Sequence, residues 1–171
     1  MNITIRTATP EDLPVIHQMA DLVFRDTYKQ ILSPDQMEYM MDWMYSLESL
    51  RKQLEEGHVY YLAEVDGQPQ GYLSVQPEGS DEECIPVFHL QKIYVLPGNQ
   101  GTGLGRLLFE QAVRHIRNAV PAGAARMELN VNRDNPALAF YEHMGMRRLR
   151  QGDFTIGNGY SMNDYIMGLD L

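Results

Sequence analysis

Cysteine occurs once in 171 residues, at Cys84. A lone thiol closes no intramolecular disulfide and builds no cysteine-based metal site. It lies in "SDEECIP", an acidic loop, where it reads as a bystander rather than a nucleophile. Long apolar runs are also missing: no stretch approaches the about 20 residues needed to span a bilayer. The opening "MNITIRTATPEDL" has neither a signal core nor transit-peptide character. A soluble, cytoplasmic protein is expected. Basic residues are scarce, 14 Lys and Arg against 23 Asp and Glu, for a net charge of −9. That balance argues against a nucleic-acid binder. It suits general solubility or the attraction of a small cationic partner. Repeats, low-complexity tracts and linkers are absent, so residues 1–171 are expected to form one α/β domain with a real core.

Glycine, by contrast, is concentrated. In "YVLPGNQGTGLGRLLFEQA" Gly101, Gly103 and Gly105 alternate with other residues between an apolar extended run and a helical one. No lysine followed by Ser or Thr occurs, so this is not a Walker A loop. The positions that would complete G-x-G-x-x-G are Arg106 and Leu108, so the dinucleotide fingerprint fails too. What remains is strand, glycine loop, helix. Glycines let a ligand approach the main chain, and the first helical turn offers unpaired amides and partial positive charge. Together they suit an anion, best a phosphate. A glycine turn with no ligand is the plain alternative.

Elsewhere the hydrophobic period alternates between helix and strand. "ITIRTA" reads as a strand, and Thr9-Pro10 as a helix start with Leu13, Ile16, Ala20, Val23 and Phe24 on one face. Ser33-Pro34 starts a second helix whose face is Met37, Met40, Met41 and Met44, either core or an adaptable wall for a flexible ligand. A third helical stretch stops at Gly57. "HVYYLAEV" and "GYLSVQP" read as strands around a turn. In "PVFHLQKIYVL" Phe88 and Leu90 are apolar at even positions, but Ile93 and Val95 at odd ones. One extra residue near Gln91-Lys92 is a β-bulge, and it would open a slot beside the strand. "ARMELNVN" is a further strand. "NPALAFYEHMG" is a short helix capped by Asn135, and two closing strands flank an Asn-Gly turn.

"QGTGLG" (Gln100 to Gly105) after that strand resembles the Q/R-x-x-G-x-G/A motif of the GNAT acetyltransferases. "NPALAFYEHMGM" resembles their N-x-x-A-x-x-x-Y-x-x-x-G-F block in the spacing of Ala137, Tyr141 and Gly145, with Asn135 one place nearer the tyrosine and Met146 in place of Phe. The order of elements fits over nearly the whole chain. "LQKIYVLP" and "DYIMGLDL" look most like the bacterial spermidine/spermine-type polyamine acetyltransferases.

The resemblance implies a GNAT fold: an α/β protein with a mixed, mostly antiparallel central sheet, splayed at its middle strands and flanked by helices. It implies acetyl-CoA as co-substrate and no metal. The pyrophosphate would sit on the amides of Gln100, Gly101, Thr102, Gly103, Leu104, Gly105 and Arg106. The pantetheine arm would run along Ile93, Tyr94 and Val95, faced by Asn132 and Asn135. Tyr141 matches the tyrosine that protonates the leaving thiolate. For the base, His89, Glu83, Glu64 and a water chain stay open. By the same analogy Tyr28, Trp43 and Tyr45 would line the acceptor side, and Glu82 and Glu83 would hold ammonium groups. The implied activity is acetyl transfer to a primary amine such as a polyamine. Alternatives are a protein N-terminus, another small amine, or a CoA-binding module without turnover. A homodimer, through the final strand or exposed apolar faces, would be in keeping with such domains.

Overall fold

The computed structural model describes residues 1–99 and 101–171. The strands are β1 (Ile3–Thr7), β2 (Val59–Val65), β3 (Gln68–Ser80), β4 (Pro86–Val95), β5 (Arg126–Asn132), β6 (Arg147–Gly157) and β7 (Tyr160–Asp170). The helices are α1 (Leu13–Tyr28), α2 (Pro34–Tyr45), α3 (Leu47–Glu55), α4 (Leu104–Ala119) and α5 (Ala137–His143). The strands form one sheet in the order β1-β2-β3-β4-β5-β7-β6. Every neighbouring pair is antiparallel except β4 and β5. This is the mixed, mostly antiparallel architecture expected.

Alternation along the strands builds two cores. Leu73, Val75, Leu90, Ile93, Met127, Leu129 and Val131 face the helix layer of α4 and α5, where Leu104, Leu108, Ala112 and Ile116 are buried. Tyr60, Leu62 and Tyr72 point the other way, onto Ile16, Ala20, Phe24, Met40 and Leu50 of α1 to α3. Each buried large apolar side chain contributes about 2 kcal/mol of transfer free energy, so both helix layers are held to the sheet by area.

The capping expectation is met at Ser33, whose Oγ accepts from the Gln36 amide at 3.2 Å. At Asn135 the start is shifted: Oδ1 accepts from the Ala137 amide at 2.8 Å, but α5 begins at Ala137 with Pro136, not Asn135, in the cap position. The chain at Thr9, however, passes through a 3-10 turn, Pro10–Asp12, before α1 begins. The Asp12 carboxylate holds that turn by accepting from the Thr9 amide at 2.8 Å and from Arg6 at 2.9 Å.

The slip in β4 is a bulge. Ser74 pairs with Lys92 but Val75 with Leu90, so Gln91 has no counterpart on β3. Beyond it, β3 comes close to β4 at Gly71: a Cβ there would lie 2.8 Å from the Tyr94 carbonyl oxygen. On the other side β4 pairs with β5 only at Val87–Arg126, Phe88–Met127 and His89–Glu128. Past His89 the two strands part. The sheet is therefore splayed at its middle, and main-chain groups of β4 that point away from β3 face a gap.

Candidate functional site

The gap is a narrow cavity of about 90 Å³. Ile93 and Tyr94 line it from β4, Asn135 and Tyr141 from the far side, and Tyr28 from the end of α1. Tyr141 is buried, its ring edge-on to Phe140 at 5.5 Å. Burial raises its phenol above the ordinary tyrosine range, with Tyr28 adding to the effect. Burial likewise pushes Tyr94 up to about 12. Both are therefore neutral O–H donors at physiological pH.

From the gap β4 runs through Val95 toward the glycine loop. Gly101 and Gly103 have φ of +79° and +78°, a left-handed conformation that any other residue would adopt under strain. The Thr102 hydroxyl donates to Asn99 O at 2.6 Å and accepts from the Leu104 amide at 3.3 Å. The Asn99 amide ties the loop to Gln70 at 2.8 Å. The first α4 bond joins Leu107 N to Gly103 O, so the Gly105 and Arg106 amides have no partner within the helix. They border a cavity of about 390 Å³ together with Val95, Gly101 and Gly103. Leu104 contributes only its backbone there, since its side chain is core. Gln100, expected in the same set, lies outside the described residues.

Beside the gap is a cavity of about 630 Å³, which shares Tyr28, Gln91, Tyr94 and Asn130 with it. His89, Glu78, Glu128, Arg150 and Asp164 line it, beside the exposed aromatics Trp43 and Phe154. His89 Nδ1 lies 2.9 Å from Glu78 Oε2, and that contact lowers the Glu78 carboxyl below its usual value. Arg150 bonds Glu128 at 2.9 Å. Through Glu78, Glu128 and Arg150 the cavity continues into an acidic trough of about 540 Å³ that holds Asp81, Glu82 and Glu83.

Several expected positions are placed differently. Asn132 lines the large cavity rather than the gap, and its Oδ1 accepts from the Asp134 amide at 2.9 Å. Asn135 does line the gap, while its Nδ2 donates to the Tyr28 hydroxyl at 3.1 Å. Tyr45 is wholly buried, packed between Phe24 of α1 and Lys92 of β4, and lines neither space. Glu64 is paired with Arg6 at 2.7 Å at the β1–β2 edge, away from both cavities. Glu83 sits in the outer trough, so among the side chains considered as base only His89 lines the large cavity itself. The methionine face divides: Met37, Met40 and Met41 are core, whereas Met44 lines the cavity.

Sequence reasoning passed over Lys92 and Asp164. Lys92 stands mid-strand in an otherwise apolar run, a signal that was available. It is buried, and desolvation pushes its ammonium down to about 7. Asp164 is also buried, with Oδ1 unpartnered. Among the described residues no cluster of three or more His, Cys, Asp or Glu is placed to hold a metal, and no helix is long and apolar enough to cross a membrane.

Residues 27–169 match the family described as "Acetyltransferase (GNAT) domain". The chain is 27% identical over 161 residues to an uncharacterized N-acetyltransferase of Lactobacillus delbrueckii subsp. lactis, encoded in the pepI 3′ region, covering 91% of each chain. In fold it is similar to the PaiA N-acetyltransferase of Thermoplasma acidophilum in complex with coenzyme A. The TM-score is 0.79 at 21% identity, over 100% of both chains. It is also similar to the ribosomal-protein-S18-alanine N-acetyltransferase of Escherichia coli, with a TM-score of 0.69 at 19% identity over 99% of this chain and 94% of that one.

Proposed function

The chain belongs to the acetyltransferase (GNAT) family, whose members transfer an acyl group from acetyl-CoA to an amine, and from that premise we propose a polyamine such as spermidine or spermine as its acceptor. The observation that carries this reading is the acid-lined cavity beside the gap. Glu78, Glu128 and Asp164 face one space, with Asp81, Glu82 and Glu83 in the adjoining trough. Against these six carboxylates stand Arg126 and Arg150, both already engaged with acids. The excess of negative charge attracts a polycation, and the continuity of cavity and trough through Glu78 and Glu128 gives an extended one room. Trp43 and Phe154, 49% and 40% exposed, offer ring faces to its ammonium and methylene groups.

Acetyl-CoA supplies the activated thioester. Amides of Gly101, Thr102, Gly103, Leu104, Gly105 and Arg106 would hold its pyrophosphate, with Gln100 completing the set. The stretch of β4 at Ile93, Tyr94 and Val95, paired with β3 but open on its β5 side, would hold the pantetheine arm, faced by Asn135. Asn132 bounds the acceptor side instead. A main-chain N–H near Val95 would carry the developing charge on oxygen. Tyr141 would donate its proton to the departing sulfur. A cytoplasmic setting, where acetyl-CoA is at hand, a single catalytic domain, and pairing of two copies belong to the same reading.

The test is acetyl-CoA-dependent thiol release with spermidine and spermine, beside amino sugars, amino acids and peptide N-termini. Release with polyamines is expected. Release with another class alone would keep the transferase and discard the polyamine.

A further inference from the structure

Asp164 is a buried carboxylate without the partners that burial demands. It sits on β7 opposite Asn132 of β5 and Gly152 of β6, and it is 2% exposed. Oδ1 has no hydrogen-bond donor. Oδ2 accepts a single long bond, from Asn130 Nδ2 at 3.4 Å. An ionised carboxylate in a protein interior is expensive unless it is paired, and removing one from water costs several kcal/mol. Every other acid on the cavity wall has a cationic or imidazole partner within 2.9 Å: Glu78 has His89 and Glu128 has Arg150. Asp164 stands apart from that pattern. It lines the large cavity, and its one donor, Asn130, lines both the cavity and the gap. Through Asn130 it adjoins the side of the cavity that opens onto the gap.

On the amine-transferase reading of the site, we infer that Asp164 receives the reacting ammonium of the acceptor and takes its proton. A cation entering there supplies the partner the carboxylate lacks. One proton passes from the ammonium to Asp164, leaving a neutral amine and a neutral carboxylic acid. The amine nitrogen forms its bond to the acyl carbon as the carbon–sulfur bond breaks. Tyr141 gives its proton to the departing sulfur, the second nitrogen proton passes to the Tyr141 phenolate to restore it, and Asp164 returns its proton to water through the cavity. Desolvation, which raises the carboxyl above its ordinary range, makes Asp164 a better proton acceptor than an exposed aspartate. The titratable neighbours that bear on it are Tyr28 from α1 and Arg133 from the β5–α5 connection. Glu78, His89, Glu128 and Arg150 share its cavity. The Arg133 guanidinium is held by Gly152 O and Asp153 and leaves Asp164 unpaired.

The experiment takes an amine that the wild-type enzyme acetylates and compares Asp164→Asn with wild type. A fall in kcat/KM of about a hundredfold is expected, with acetyl-CoA affinity by calorimetry unchanged. Alongside, carbon-13 NMR of the wild-type aspartate carboxyls follows the Asp164 signal, assigned through its own backbone. It should titrate above the ordinary carboxylate range and move to lower pH when the amine is added to the enzyme–CoA complex. An unchanged kcat/KM overturns the proposal, and so does an Asp164 signal indifferent to the amine. The NMR titration decides the matter if the variant does not fold. Absence of thiol release from the wild type with every amine would instead remove the transferase reading, and this proposal with it.

Discussion

The Asn135 side-chain amide joins two helices that are far apart in sequence: Nδ2 donates to the Tyr28 hydroxyl at 3.1 Å while Oδ1 accepts from the Ala137 amide at 2.8 Å. One group thus holds the turn into α5, which carries Tyr141, and fixes the end of α1 where it borders the gap. Asn135→Ala should cost about 2 kcal/mol, two lost side-chain hydrogen bonds. Urea unfolding would measure it. Acetyl-CoA affinity should fall with it, since both walls of the gap loosen.

Lys92 places an ammonium against uncharged partners: Tyr60 Oη at 2.7 Å, Gln53 Oε1 at 2.8 Å and the Tyr45 ring at 4.4 Å. Burial lowers its pKa to about 7. Below that value the folded protein carries a buried charge and is destabilised. As pH rises from about 7 toward the unfolded value near 10.5, the folded state has released a proton the unfolded state still holds, so stability increases. Lys92→Met should remove this limb. Its stabilising effect should be larger near pH 6 than near pH 9 by roughly 3 kcal/mol, read from denaturation at the two values. Equal effects at both would show that Lys92 titrates normally.

Gly103 and Gly105 should respond differently to alanine. Gly103 has φ of +78°, so a Cβ there costs about 1 kcal/mol and reshapes the loop amides. Gly105 is helical, and its Cβ would make ordinary contact with the Phe140 ring at 3.5 Å. Calorimetry should show weakened acetyl-CoA binding for Gly103→Ala and retained binding for Gly105→Ala. Equal losses would mean that bulk, not backbone conformation, governs the loop.

Tyr141→Phe should lower kcat by about a hundredfold and leave the acetyl-CoA KM nearly unchanged. Because burial raises the phenol, its loss of a proton should not produce a basic limb in the rate below about pH 10. Full turnover by the variant at saturating substrate would take the acid role away from Tyr141.

Glu82 and Glu83 stand in the outer trough, beyond the cavity next to the gap. Reversing both charges to lysine should raise KM for a tri- or tetra-amine several-fold and affect a monoamine less, because only the longer acceptor reaches that far. An unchanged KM for spermidine would remove the trough from the acceptor path.

Much of this was legible along the chain because the causes are local. Alternation at Phe88 and Leu90 against Ile93 and Val95 disclosed the bulge. The Asn158-Gly159 turn, with both residues at positive φ, closed the last hairpin as its composition demands. The glycine loop announced a tight turn into a helix, and Gly101 and Gly103 do take positive φ just before α4. Side-chain destinations were less readable. Tyr45 has the same aromatic character as Trp43, two residues earlier, yet one is wholly buried and the other half exposed. Which face of α2 meets the sheet is fixed by packing across three helices.

Composition, period and motif spacing by themselves determined the element order, the β4 bulge and the glycine turn into α4, because each rests on contacts between near neighbours. Only the tertiary structure decided that Glu64 is spent on Arg6 and that Lys92 is drowned in tyrosines. It also decided that Asp164 lines the large cavity with Oδ1 unpartnered. Burial and pairing of a charge depend on which distant strands and helices surround it, and that surrounding exists only once the sheet has assembled in the order β4-β5-β7.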